Sequence, residues 1–548
     1  MRISLLLAIF ASSGSVFAVQ SFNLGAQGVN LWRLEKAQAA SPRRSGARRV
    51  VIQGDTTAAV QARQDEFPEQ WFEQPTDHFD KKNTGTFKQR YWFSTRHYTP
   101  GKNGPVFVLD GGETSGEDRL PYLDTGILDI LTREIGGIGI VLEHRYYGKS
   151  FVTQNLTTDS LRFLNNDQAA ADSANFMANV KFPGIDEDLT SPGTPWIYYG
   201  GSYAGARSAH MRILYPKLVF GAIASSGVTH AALSNWEYMD VIRLAANATC
   251  SRNLVGSVKR IDAILAKGTQ TAALKKQFGI TDLKHDVDFV SLITSPLGGW
   301  QSKNWDPAVG STSFDRFCDA INLPPSGLDH SVVGLDFESP HRLVSIGNNL
   351  TVDYALANYA DYIKTRVASS CKGSQEACFG TFSDTVYQNT DLSEDWRLWQ
   401  FQVCTQWGYF TTAPPNPATP RIISNLIDLA YLDKICAQAY LPGQHFKVPK
   451  LPDIESVNKL GDFAIAADRL AIIDGEDDPW RPDCPHSQYY AKDRPDTILR
   501  PFKLIPGAVH HWDENGLANI NDEPPEILKI HQETIAFVKE WLKDFKKP

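Results

Sequence analysis

A serine stands inside Gly200-Gly201-Ser202-Tyr203-Ala204-Gly205, between the apolar run Trp196 to Tyr199 and a helix-like stretch from Arg207 to Leu214. A strand, a sharp turn and a helix in succession lift a hydroxyl clear of its own backbone, which is the context of a nucleophile elbow. Small neighbours keep such a turn free of clashes. The strict pattern has Gly two residues after the serine; Ala204 occupies that place, a departure of one methyl.

A hydroxyl is a poor nucleophile at neutral pH, so it needs a base within hydrogen-bond reach and a third group to orient the base. With an elbow serine the order along the chain is serine, acid, histidine. The C-terminal part supplies both: Leu470 to Ile473 runs into Asp474-Gly475-Glu476-Asp477-Asp478-Pro479-Trp480, and Phe502 to Ile505 into Pro506-Gly507-Ala508-Val509-His510-His511-Trp512. Asp478 is the chosen acid because it lies deeper in its loop, with Asp474 and Asp477 as rivals. His510 is the chosen base, and His511 is its alternative. Acyl transfer also needs donors aimed at a developing oxyanion. The Tyr203 N–H is one, and Gly112, in the loop Asp110-Gly111-Gly112-Glu113, is the expected second. Glu113 itself reads as a helix cap or as a carboxylate at the substrate entrance.

Such groups must be held at one end of a sheet. Short apolar runs at 106–109, 138–142, 196–199, 220–224 and 470–473 alternate with helical patterns, which argues for βα units and a largely parallel sheet. One such pattern is 167–180, with Ala170, Ala174 and Met177 on one face; another opens at Pro524-Pro525 and carries Ile527, Thr534, Val538, Trp541 and Phe545. Strand signals lapse between about Thr229 and Val448, a stretch rich in cysteine. The expected organisation is one α/β core, in two parts at 50–229 and 449–548, interrupted by a mainly helical insertion at 230–448.

Composition sets the outer limits. With 548 residues, 42% of them hydrophobic and 21% charged, the chain is globular rather than disordered. A net charge of −8 without long runs of one sign argues against nucleic acid as a partner. Arg2, the apolar stretch Ile3 to Ala11 and the small residues ending at Ala18 form a secretory signal over 1–18. The polar segment 19–49, with Arg43-Arg44 and Arg48-Arg49, reads as a propeptide or a simple arm. No later window is apolar enough to span a membrane. Asn155, Asn247 and Asn349 head sequons that an exported chain can glycosylate. Seven cysteines without a CxxC pair favour disulfides over a metal site, and the odd count leaves a thiol unpaired. No metal or cofactor is expected.

The segments 143–150 (EHRYYGKS), 167–172 (DQAAAD), 200–205 (GGSYAG), Asp478-Pro479-Trp480 and 507–513 together resemble the serine peptidases that include prolyl carboxypeptidase, the lysosomal-type dipeptidyl peptidase and fungal prolyl endoprotease. The resemblance runs from about Phe67 to the C-terminus. It implies an α/β-hydrolase fold whose helical insertion caps the site, and cleavage of peptide or protein substrates after proline or another small residue. It also implies a secreted protein, or one held in a lysosome- or vacuole-like compartment. Carried over, the triad is Ser202, Asp478 and His510; Trp480 lines the pocket for the residue before the cut, and the segment with Trp399 and Gln402 closes it. Val509 is an extra residue relative to some members, which bears on the choice between His510 and His511. A carboxylic ester hydrolase is the alternative, since the same triad serves esters. Exo or endo action and oligomeric state, a dimer included, stay open.

Overall fold

The computed structural model describes residues 23–39, 57–102, 104–324, 343–345 and 350–547. The signal segment, both paired arginine sites and Asn349 lie outside the described residues. Eight strands form one sheet: β1 (Gln70–Pro75), β2 (Thr86–Ser94), β3 (Val106–Asp110), β4 (Ile138–Leu142), β5 (Trp196–Gly201), β6 (Gly221–Ser225), β7 (Leu470–Gly475) and β8 (Phe502–Ile505). Their spatial order is β1-β2-β4-β3-β5-β6-β7-β8. The first two strands run antiparallel to their neighbours and the remaining pairs are parallel. This is an α/β-hydrolase fold.

The central strands read as unbroken apolar runs because both of their faces are covered. Phe107, Leu109, Ile197, Tyr199, Ile223 and Ile473 pack on one side with Ile527, Val538 and Trp541 of the C-terminal helix Pro525–Leu542. Val106, Val108, Tyr198, Ala222 and Ile472 pack on the other with Ala170, Ala174 and Met177 of helix Asn166–Asn179. Between β6 and β7 the chain leaves the sheet for a long insertion of helices with two small two-stranded sheets. The disulfides Cys250–Cys318, Cys371–Cys378 and Cys404–Cys436 all lie there, and Cys484 is the free, buried thiol.

Part of the segment read as propeptide or arm is an ordered element. Helix Ala26–Ala39 packs on the insertion, with Leu24, Ala26, Val29 and Leu31 buried in its core. The Asn30 amide donates to the Gly380 carbonyl (3.0 Å), and Asn30 Oδ1 accepts from the Tyr387 hydroxyl (3.1 Å).

The EHRYYG segment, which directly follows β4, and the DQAAAD segment hold buried ion pairs beside the sheet. Glu143 is buried and accepts from Arg90 (2.6 Å), the Gly116 N–H (2.9 Å) and the Ser150 hydroxyl (2.7 Å). Arg145 makes a two-point contact with Asp172 at 2.6 and 2.8 Å. A charge taken out of water is tolerated when paired and hydrogen-bonded in this way.

Candidate active site

Ser202 sits between β5 and helix Tyr203–Leu214 at φ 61°, ψ −126°. Positive φ is strained for a residue with a side chain, and surrounding bonds hold it there. Its N–H donates to the Ser225 carbonyl (2.9 Å), and its own carbonyl accepts from Ala206 (3.0 Å). The turn is as tight as the glycine pattern implies: a Cβ on Gly205 would stand 2.6 Å from the Ser225 carbonyl oxygen. Ala204 is accommodated because its methyl faces Gly112, where an added Cβ would come to 3.4 Å.

The acid and the base meet. Asp478 is fully buried, and its Oδ2 and Oδ1 lie 2.9 and 3.1 Å from His510 Nδ1. Oδ1 also accepts the Trp480 N–H at 2.9 Å. Burial by itself would push this carboxyl up, yet the His510 ring, by charge and hydrogen bond, and the Trp480 N–H hold it below the usual carboxylate value. The opposite nitrogen, His510 Nε2, is buried and has no hydrogen-bond partner among the described residues.

The loops carrying these groups are laced together. Asp477 N–H donates to Ala508 O (2.9 Å), joining the acid loop to the histidine loop. Ser226 follows the residue that anchors Ser202, and its hydroxyl accepts the His511 N–H at 2.9 Å. The rivals have other partners. Asp474 pairs with His486 (2.6 Å), and His511 Nδ1 pairs with Glu514 at 2.9 Å. Burial opposes a charge on His511, but Glu514 outweighs it and raises the pKa.

The loop after β3 is fixed by Asp110, which accepts the Tyr198 hydroxyl (2.6 Å), Arg207 Nε (2.7 Å) and the Gly112 N–H (3.0 Å). The Gly112 N–H is therefore engaged within the loop. Glu113 follows it, with Oε2 buried and unpartnered among the described residues; burial pushes this carboxyl up, against the pull of Arg119, His510 and His511.

The Tyr203 hydroxyl accepts from Gln402 Nε2 (2.8 Å) and lies 3.0 Å from His144 Nε2, while Gln402 Oε1 accepts from the Tyr147 hydroxyl (2.6 Å). Burial, with nearby Arg207, lowers His144 to about 4, so its ring is neutral. Trp399 packs on the Tyr203 ring with centroids 5.3 Å apart. Trp480 meets Tyr238 and Tyr409 edge to face at 5.3 and 5.1 Å, and its indole N–H donates to Gln301 Oε1 at 2.8 Å. Sequence reasoning did not single out Ser226, Gln301 or Asp110 for this site. Only Asp110 carried a signal, as the first residue of the glycine loop. Asn155 and Asn247 are both exposed.

The family model described as serine carboxypeptidase S28 matches residues 74–535. The chain belongs to that family. This S28 chain is thus a serine-type peptidase, a hydrolase. It is 40% identical over 499 residues to a probable extracellular serine carboxypeptidase of Arthroderma benhamiae, across 87% of this chain and 68% of that protein. It is 28% identical to the serine protease vicPa of Bipolaris victoriae, across 86% and 88% of the two chains. It is 25% identical to the lysosomal Pro-X carboxypeptidase of Mus musculus, across 87% and 89%. Among the described residues no helix is long and apolar enough to cross a membrane, and no cluster of His, Cys, Asp and Glu could hold a metal ion.

Proposed function

We propose that this S28 peptidase is an exported enzyme that cuts peptide chains after proline or another small residue, through an acyl-enzyme on Ser202. The observation that carries the reading is the buried Asp478–His510 pair, whose far nitrogen is buried and unpartnered among the described residues, in a loop at the same end of the parallel strands as the elbow serine. His510 takes the proton of the Ser202 hydroxyl as the oxygen attacks the carbonyl carbon, and returns it to the leaving amine; water then repeats the sequence on the ester. Asp478 stays ionised and holds the imidazole in the tautomer that presents Nε2.

The N–H of Tyr203 is one oxyanion donor. Gly112 is the second donor in this reading, and its N–H, given to Asp110 in the free enzyme, would have to turn to the oxyanion. The Trp480 face, steadied by its ring neighbours, suits a proline ring. Glu113, buried and unpartnered at Oε2 among the described residues, is the carboxylate this reading assigns to a substrate amine, whose positive charge would favour the ionised carboxylate. The Arthroderma relative's extracellular description supports export, and the mouse relative's name supports proline selection.

The test is turnover of long proline-containing peptides with products read by mass spectrometry, beside Ser202→Ala. Loss of about 10⁶ in kcat is expected for the variant. Turnover retained at the wild-type rate would refute the reading, and the product masses separate cuts at either terminus from internal ones.

A further inference from the structure

Six residues of the insertion, Trp300 to Trp305, touch both loops that carry the proposed base and its acid. Trp300 Nε1 donates to the carbonyl of Asp477, the residue before Asp478, at 3.0 Å. Gln301 Oε1 accepts from the Trp480 indole (2.8 Å) and from the Tyr238 hydroxyl (3.0 Å). Trp512, two residues after His510, donates from its indole to the Lys303 carbonyl (2.8 Å), while its own carbonyl accepts from Trp305 Nε1 (2.9 Å). Four indole N–H groups thus hold one strap to two loops whose acid and base stand 32 positions apart in the chain. Trp512 packs against the core of the insertion and against the core beneath the sheet, so it is a joint between the two halves.

The strap is itself anchored. Trp300 meets Phe314 edge to face at 5.0 Å, and Lys303 Nζ donates to Asp315 at 2.8 Å. Both partners lie on helix Ser313–Asn322, which the Cys250–Cys318 disulfide ties to the long helix Ala248–Lys267. The two loops also bond to each other directly, Asp477 N–H to Ala508 O, Glu476 N–H to Ile505 O and Gly507 N–H to Glu476 Oε2, and the strap adds a brace to both from the insertion side. A catalytic geometry must hold to a fraction of an ångström, and residues outside the chemistry supply that precision.

We propose that Trp300–Trp305 is a positioning strap through which the insertion sets the spacing of the Asp478 and His510 loops and, at Gln301, the tilt of the Trp480 ring. The proposal rests on the triad reading above. The two ends of the strap then act on different kinetic quantities. The indole-to-carbonyl contacts at Trp300, Trp305 and Trp512 set how well the base is aimed, which is a matter of kcat. Gln301 sets the shape of the pocket wall, which is a matter of binding and of choice between substrates.

Trp305→Phe, made in the full-length enzyme, keeps an aromatic ring but loses the indole N–H with part of its volume, and Gln301→Met keeps the side-chain length and loses the acceptor. Trp305→Phe is expected to lower kcat by about 5- to 20-fold with KM within about twofold, and to slow labelling by a fluorophosphonate probe to a similar degree. Gln301→Met removes the acceptor of the buried Trp480 indole and is expected to raise KM for a proline peptide by about tenfold, and to lower the preference for proline over alanine before the cut. Gln301→Glu keeps an acceptor oxygen and is expected to restore most of that preference. Thermal unfolding of each variant reports its folding. Wild-type kcat and labelling in a folded Trp305→Phe enzyme, or equal loss on both peptides in Gln301→Met without rescue by Gln301→Glu, would overturn the strap. Failure of the triad reading looks different: wild-type enzyme would escape the probe, or Ser202→Ala would remain active.

Discussion

Glu35 lies on the N-terminal helix, partly buried, with Oε1 buried and unpartnered among the described residues. Burial raises its pKa from 4.5 to about 8. The folded protein therefore keeps this proton up to about pH 8, whereas the unfolded chain releases it near 4.5. A raised carboxyl pKa gives stability that is full below the unfolded value and is lost as pH climbs through the folded one. A rise of that size has a ceiling of about 5 kcal/mol. The helix is partly exposed and can lift locally to let water reach the carboxylate, which reduces the effect to ~1–2 kcal/mol. Glu35→Gln keeps the shape and removes the titration. It should unfold with the wild type at pH 4 and be more stable by ~1–2 kcal/mol at pH 8, in thermal or urea unfolding of the secreted protein. An equal shift at both pH values would refute the argument from burial. The same comparison tests the propeptide expectation: secreted protein that begins after Arg49 by mass spectrometry, with no effect of the substitution at any pH, would show that the helix is discarded.

Asp478→Asn should lower kcat by about 10⁴, because the amide favours the wrong imidazole tautomer; steady-state rates at pH 7 check this. The same carboxyl, held below its usual value, stabilises the fold above the unfolded pKa of 3.8, and that contribution is lost as pH falls through the lower folded value. Asp478→Asn should flatten this acid limb in a pH series of unfolding midpoints. Cys484 is buried, and burial together with Asp474, Asp478 and Asp483 pushes its thiol far up. It should resist alkylation in the native protein and react with one equivalent of reagent in denaturant. Replacing both Cys250 and Cys318 by Ala opens a loop of sequence separation 68 and should lower stability by roughly 4 kcal/mol, read in the same unfolding assays.

Legibility followed how local each signal was. The parallel strands were visible because burial on both faces makes each a continuous apolar word, and the catalytic candidates because they fall at the ends of such words. Helix Asn166–Asn179 appeared in its alanine face, and Ala170, Ala174 and Met177 do pack together behind the sheet. Phe545, expected on the C-terminal helix, lies past its end yet still packs on Phe220, 5.3 Å between centroids. Strands β1 and β2 were not legible, since their sequences QWFEQP and TFKQRYWFS mix charge with aromatics and bury Arg90 through partners far along the chain. The N-terminal helix looked like a polar leader because its few apolar residues find their neighbours in the insertion. Gln301 and Ser226 belong to the site only through tertiary contacts. The engagement of the Gly112 N–H by Asp110 is a backbone event that residue type does not announce.

The docking of helix Ala26–Ala39 also has a timetable. Its Asn30 reaches Gly380 across 350 positions and its Arg33 reaches Val386 across 353. At roughly 5–20 residues per second, a ribosome needs on the order of 20–70 s to deliver those partners after the helix has emerged. Throughout that interval Leu24, Val29 and Leu31 have nowhere native to go. Among the described elements the first to be born is thus among the last to be seated, which makes it a natural client for a chaperone and a sensitive reporter of whether the nascent chain has been finished correctly.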